Sequence, residues 1–136
     1  MGLSTHVLDT ARGRPAVGVP VRLERGESRP NLGGAGDTSQ TGAEQTGAEQ
    51  TGAGQTTTGQ TGTGWTVVTE AVTDADGRVG GLPLTAPGPW RLVFDTSARS
   101  VFFPEVSIAF HVTDPAEHHH VPLLLAPFGY STYRGS

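Results

Sequence analysis

The sequence predicts an all-β protein, a two-sheet sandwich of about seven or eight strands. Three observations point there. Apolar and polar residues alternate over short runs, as one-sided strands require. Clusters of Gly, Pro and Asp separate these runs at intervals of about ten residues. No segment carries apolar residues at helical spacing.

The elements follow in order. "THVLD" (5–9) opens the chain and runs into the Gly- and Pro-rich loop "TARGRPAVG". "VPVRLER" (19–25) puts Val19, Val21 and Leu23 on one face and Arg22 and Glu24 on the other. "WTVVTEAVT" (65–73) is rich in β-branched residues and stops at the turn "DADGR". In "PWRLVFDT", Trp90, Leu92 and Phe94 lie opposite Arg91, Val93 and Asp95. "EVSIAFHV" sends Val106, Ile108, Phe110 and Val112 inward. "HHVPLLLAP" and "YSTYR", joined by the turn "FG", close the chain.

Between the second and third strands lies a low-complexity insert, 33–64, with no Leu, Ile, Val, Phe, Tyr or Trp. From residue 41 it repeats every five residues: TGAEQ, TGAEQ, TGAGQ, TTTGQ, TGTGW. The repeat has no apolar centre on which a solenoid could stack, so a disordered Gly/Thr/Gln loop is expected. Loop closure costs grow only logarithmically with length, so a sandwich can carry it. The chain is expected to be a single domain, 1–136, with roughly a hundred residues able to build a core.

Composition excludes several classes. The net charge is −4 and every one of the nine cationic side chains is a scattered arginine, which is no footprint for nucleic acid. Without cysteine there is no disulfide, thiol chemistry or Cys–zinc site. The start "MGLSTHVLDT" leads into strand-like sequence rather than a signal peptide, and no apolar run is long enough to span a membrane. A soluble, cytoplasmic protein that engages neither membrane nor nucleic acid is expected.

Histidine is the residue type best placed for chemistry. His118 and His120 share a strand face while His119 points away, and no third ligand is near in sequence, so no metal site is expected. Parity groups His120 with Pro122 and Leu124, and His6 with Leu8 opposite Val7. A strand with an apolar second face needs a second burial partner, and a further subunit would supply it. Histidines in such a seam suit acid–base work near neutrality, or they serve only as hydrogen-bonding residues of an oligomer. Arg78, just after a turn, reads equally as a solvated hairpin arginine. No nucleophile motif, phosphate loop or dinucleotide fingerprint is present.

Four blocks then narrow the field: "LSTHVLDTARGRPAVGVPV", "TDADGR", "FFPEV" and "HVPLLLAPFGYSTYRGS". Together they resemble the 5-hydroxyisourate hydrolases, the enzymatic branch of the transthyretin family, over nearly everything outside the insert. The closing Tyr-Arg-Gly-Ser resembles the hydrolases rather than the hormone carriers. The resemblance implies a transthyretin-like sandwich and a homotetramer, a dimer of dimers with a channel lined by one sheet of each subunit. It also implies hydrolysis of 5-hydroxyisourate in urate breakdown without a cofactor. Carried over by position, His6, Arg78 and His120 are the implied catalytic residues. Tyr133, Arg134, Gly135 and Ser136 are the implied substrate-binding residues, on alternating faces of the last strand; His111, His118 and His119 inherit no role. Two features depart from the family pattern. The connection "DTSARSV" is too short for the family's helix before "FFPE", and the repeat insert is extra. The rival reading is a transthyretin-like carrier of small ligands, which lacks the His6/Arg78/His120 set and the Tyr-Arg-Gly-Ser ending.

Overall fold

Strict alternation in β1 (Gly2–Asp9) buries Leu3, Thr5 and Val7 completely and leaves Ser4, His6 and Leu8 half-buried on the opposite face. That one strand organises the sheet that carries the candidate site. The computed structural model describes residues 2–27 and 64–136. It divides into two units, Met1–Glu24 with Val67–Ser136, and Arg25–Thr66. Within the second unit the Glu27 N–H donates to Gly64 O at 2.9 Å. The insert expected to be a disordered loop lies, apart from Gly64, outside the described residues.

Among the described residues there are ten strands in two sheets and no helix, hence none long and apolar enough to cross a membrane. The strands after β1 are β2 (Arg14–Pro15), β3 (Pro20–Gly26), β4 (Trp65–Val72), β5 (Arg78–Leu82), β6 (Gly88–Asp95) and β7 (Glu105–Val112). The chain closes with β8 (His118–His120), β9 (Leu123–Ala126) and β10 (Gly129–Thr132). One sheet runs β4-β3-β6-β7. The other runs β10-β9-β1-β2, with β5 and β8 also paired to β1. β1 is therefore central. It is antiparallel to β5 on one side and parallel to β8 and β9 on the other.

The surplus over the expected seven or eight strands has local causes. β2 is two residues long, and the expected "HHVPLLLAP" strand breaks at Val121–Pro122. Proline has no N–H for the ladder, so the strand stops there and resumes as β9. β5 was not evident in its glycine-containing sequence "RVGGL". The inward residues of both sheets form one core around Trp90, Phe94, Leu3, Leu23, Leu92, Leu123 and Leu125.

Glu24, expected on the face opposite Val19, Val21 and Leu23, is 4% exposed. Two guanidinium groups satisfy it there: Arg22 lies 2.6 Å away and Arg91 of the neighbouring strand also pairs with it. The short β6–β7 connection holds a turn in place of a helix. Thr96 O accepts from the N–H groups of Arg99 and Ser100, both at 2.9 Å, and Ser100 Oγ donates to Pro127 O at 3.1 Å.

Candidate active site

His6 reaches its position through β1 and Arg78 through a tight turn. Asp74 Oδ1 accepts from the N–H groups of Asp76 and Arg78 at 2.9 and 3.0 Å, which lowers the pKa of this exposed carboxyl. Gly77, at φ +75°, completes the turn. A Cβ there would lie 2.6 Å from Val7 O and 2.9 Å from Pro15 Cβ, so only glycine lets the turn dock on β1. The Val7 N–H then donates to Gly77 O at 2.8 Å. The result is a direct cross-strand pairing of His6 with Arg78.

On the other side of β1, Ser4 pairs with His120 and Gly2 with His118. Period-two alternation sends His118 and His120 outward and His119 into the core, where it is 4% exposed and its Nδ1 lies 2.9 Å from Glu117 O. Ser4 Oγ sits between the two outward imidazoles, 2.8 Å from His120 Nδ1 and 3.2 Å from His118 Nε2. With Nδ1 engaged, His120 has Nε2 left for chemistry.

The pKa of His120 is lowered from the ordinary 6.5. Burial is the main cause, followed by the positive charge of Arg78 and then by His6 and His118; a hydrogen bond with Ser4 opposes them. The ring is therefore neutral near pH 7, the state a general base needs. His6 Nε2 is shielded from solvent and has no hydrogen-bond partner. A shielded imidazole nitrogen without a partner is rare and calls for a functional explanation.

The C-terminal residues divide. β10 ends at Thr132, opposite Leu123, and the Thr132 hydroxyl donates to Pro122 O at 2.7 Å. Beyond it the expected strand alternation of Tyr133 to Ser136 is absent, because Pro122 offers no N–H to extend the ladder. The tail instead crosses to His120, where the Gly135 N–H donates to His120 O at 2.8 Å in a single bridge. Tyr133 is 58% exposed. Arg134 turns to Glu117, 3.3 Å away, with both side chains largely in solvent. Ser136 is exposed at the end of the chain.

Four of the seven expected site residues thus gather on the outward face of one sheet: His6, Arg78, His120 and Gly135. Ser4 and His118 join them. Parity placed His118 beside His120, but the partner between them comes from a strand 116 residues away in sequence. Among the described residues no three His, Cys, Asp or Glu side chains gather as metal ligands do.

The helix-free, two-sheet fold of the described residues is that of a transthyretin-like sandwich. The model described as HIUase/Transthyretin family matches residues 3–135, and the chain belongs to that family. It is similar to the uric acid degradation bifunctional protein TTL of Arabidopsis thaliana, at 42% identity over 146 residues. That match takes in 98% of this chain, which spans 37% of the length of the plant protein. It is also similar to a 5-hydroxyisourate hydrolase of Deinococcus radiodurans, 37% identical and covering 99% of this chain and 96% of the relative. Among solved structures, 5-hydroxyisourate hydrolase of Klebsiella pneumoniae aligns over 100% of both chains with a TM-score of 0.62 at 30% identity.

Proposed function

We propose that this chain hydrolyses 5-hydroxyisourate to 2-oxo-4-hydroxy-4-carboxy-5-ureidoimidazoline, as a homotetramer. The observation that carries the reading is the pair of adjacent cross-strand partners on β1, His6 with Arg78 and Ser4 with His120. Together they put a neutral base beside a guanidinium. A carrier of small ligands has no use for that combination.

The chemistry follows from the groups. His120 Nε2 accepts a proton from water as the water oxygen bonds to a ring carbonyl carbon. His6, beside Arg78 in the ladder, orients that water. Arg78 holds the anionic oxygens of the substrate and the negative charge that develops on the attacked carbonyl, through the several donors of its planar head. The C–N bond then breaks and the ring nitrogen takes the proton from His120. No step calls for a redox or electrophilic cofactor. Tyr133, Arg134 and Ser136 bind substrate in this reading once a neighbouring subunit completes the site. Half-buried Leu8 and Leu124 support a tetramer, since they share the face of His6 and His120 and offer apolar surface to a facing sheet.

The test is the ultraviolet decay of freshly prepared 5-hydroxyisourate with and without the protein. Decay accelerated in proportion to protein concentration is expected. An unchanged decay would leave the carrier reading in place.

A further inference from the structure

Ser4 is an outward-facing hydroxyl with two imidazole partners, His120 Nδ1 at 2.8 Å and His118 Nε2 at 3.2 Å. The outer partner, His118, is exposed, and the inner partner, His120, is half-buried. We infer that His118, Ser4 and His120 form a proton relay that lets the half-buried base hand its charge to the surface during turnover. The inference rests on the hydrolase reading and assigns a role to two residues outside the expected site.

The proton inventory closes. In the resting relay His120 Nδ1–H donates to Ser4 Oγ, and the Ser4 hydroxyl donates to His118 Nε2. When His120 Nε2 takes the proton of the attacking water, the Nδ1 proton passes to Ser4 Oγ. The Ser4 hydroxyl proton passes at the same time to His118 Nε2. His120 is neutral again, now protonated on Nε2, and the positive charge sits on the exposed ring of His118. When the C–N bond breaks, His120 Nε2 gives its proton to the departing nitrogen. The relay then runs backward and every group regains its starting proton.

A relay is useful here because of what surrounds His120. Arg78 of β5 and His6 of β1 face it, His118 neighbours it on β8, and the tail contributes the Gly135 backbone. A cation held on His120 would stand beside a guanidinium in a half-buried site. Moved to His118, it is solvated by water, and the nearby carboxylate of Glu117 is already paired with Arg134. His118 and Ser4 act through His120 and are positioning residues.

The experiment compares wild type with His118→Gln, Ser4→Ala and Ser4→Thr at several concentrations of imidazole buffer. Glutamine keeps a hydrogen bond to Ser4 but cannot carry a proton; threonine keeps the hydroxyl. His118→Gln and Ser4→Ala should lose on the order of a hundredfold in kcat at low buffer, the lower end of what a positioned proton-transfer group contributes, with KM unchanged. Imidazole should restore His118→Gln, and Ser4→Thr should match wild type. An active wild type equalled by His118→Gln would overturn the relay alone, as would a loss in that variant that buffer does not repair. A wild type that leaves substrate decay unchanged would remove the hydrolase reading and the relay with it.

Discussion

Gly135 approaches His120 so closely that a β-carbon on residue 135 would lie 2.5 Å from the Cδ2 of the imidazole. The backbone bond from Gly135 N–H to His120 O fixes that approach at 2.8 Å. The C-terminal tail is thus part of the wall against which the His120 ring is set. Gly135→Ala should push the ring or the tail aside and cut turnover, while the melting temperature stays near that of wild type, since four terminal residues add little core. Deleting Tyr133 to Ser136 should abolish activity with the fold intact by circular dichroism. An active truncated protein would show that the tail is not part of the site.

Arg78 tests the electrostatics. The pKa of His120 lies below the ordinary 6.5, so the acid limb of the kcat/KM profile should fall below pH 6.5. Between the lowered and the ordinary value the unfolded chain binds the extra proton, so this ring makes stability rise with pH across that window. Arg78→Gln removes a positive neighbour and should move His120 titration, followed by NMR, to higher pH. Arg78→Lys keeps the charge and should leave the titration low, yet remain impaired for want of the planar fork. Full activity in the lysine variant would reduce Arg78 to a generic charge.

The insert can be tested by removal. Glu27 and Gly64 are joined by a hydrogen bond of 2.9 Å, so a short turn can close the gap between β3 and β4. Replacing 33–63 by a Gly/Ser turn should leave the proposed tetramer and turnover nearly unchanged, measured by light scattering and substrate decay. A loss of either would mean that the repeat contributes to the site or to assembly.

Much of this architecture was legible because alternation reports burial. Trp90, Leu92 and Phe94 face the core, as do Val106, Ile108 and Val112. Three features escaped for one reason: each depends on a partner strand. Glu24 is buried because Arg91 lies across the ladder. The last strand stops at Thr132 because its neighbour breaks at Pro122. Ser4 meets His118 and His120 through a parallel pairing between the two ends of the chain. Spacing alone left His6 and His120 as possible seam residues and Arg78 as a hairpin arginine. Resemblance singled them out, and cross-strand register gives them a common place.

The central claim is that His120, with His6 orienting the water, performs acid–base work on 5-hydroxyisourate. The measurement is the steady-state rate of 5-hydroxyisourate decay for wild type, His6→Ala and His120→Ala, alongside the oligomeric state of each. The expected result is an active wild type and a loss of about a hundredfold or more in each variant, the usual worth of a positioned acid–base group, with assembly preserved. Variants that assemble normally and keep the wild-type rate would make both histidines seam residues and contradict the mechanism.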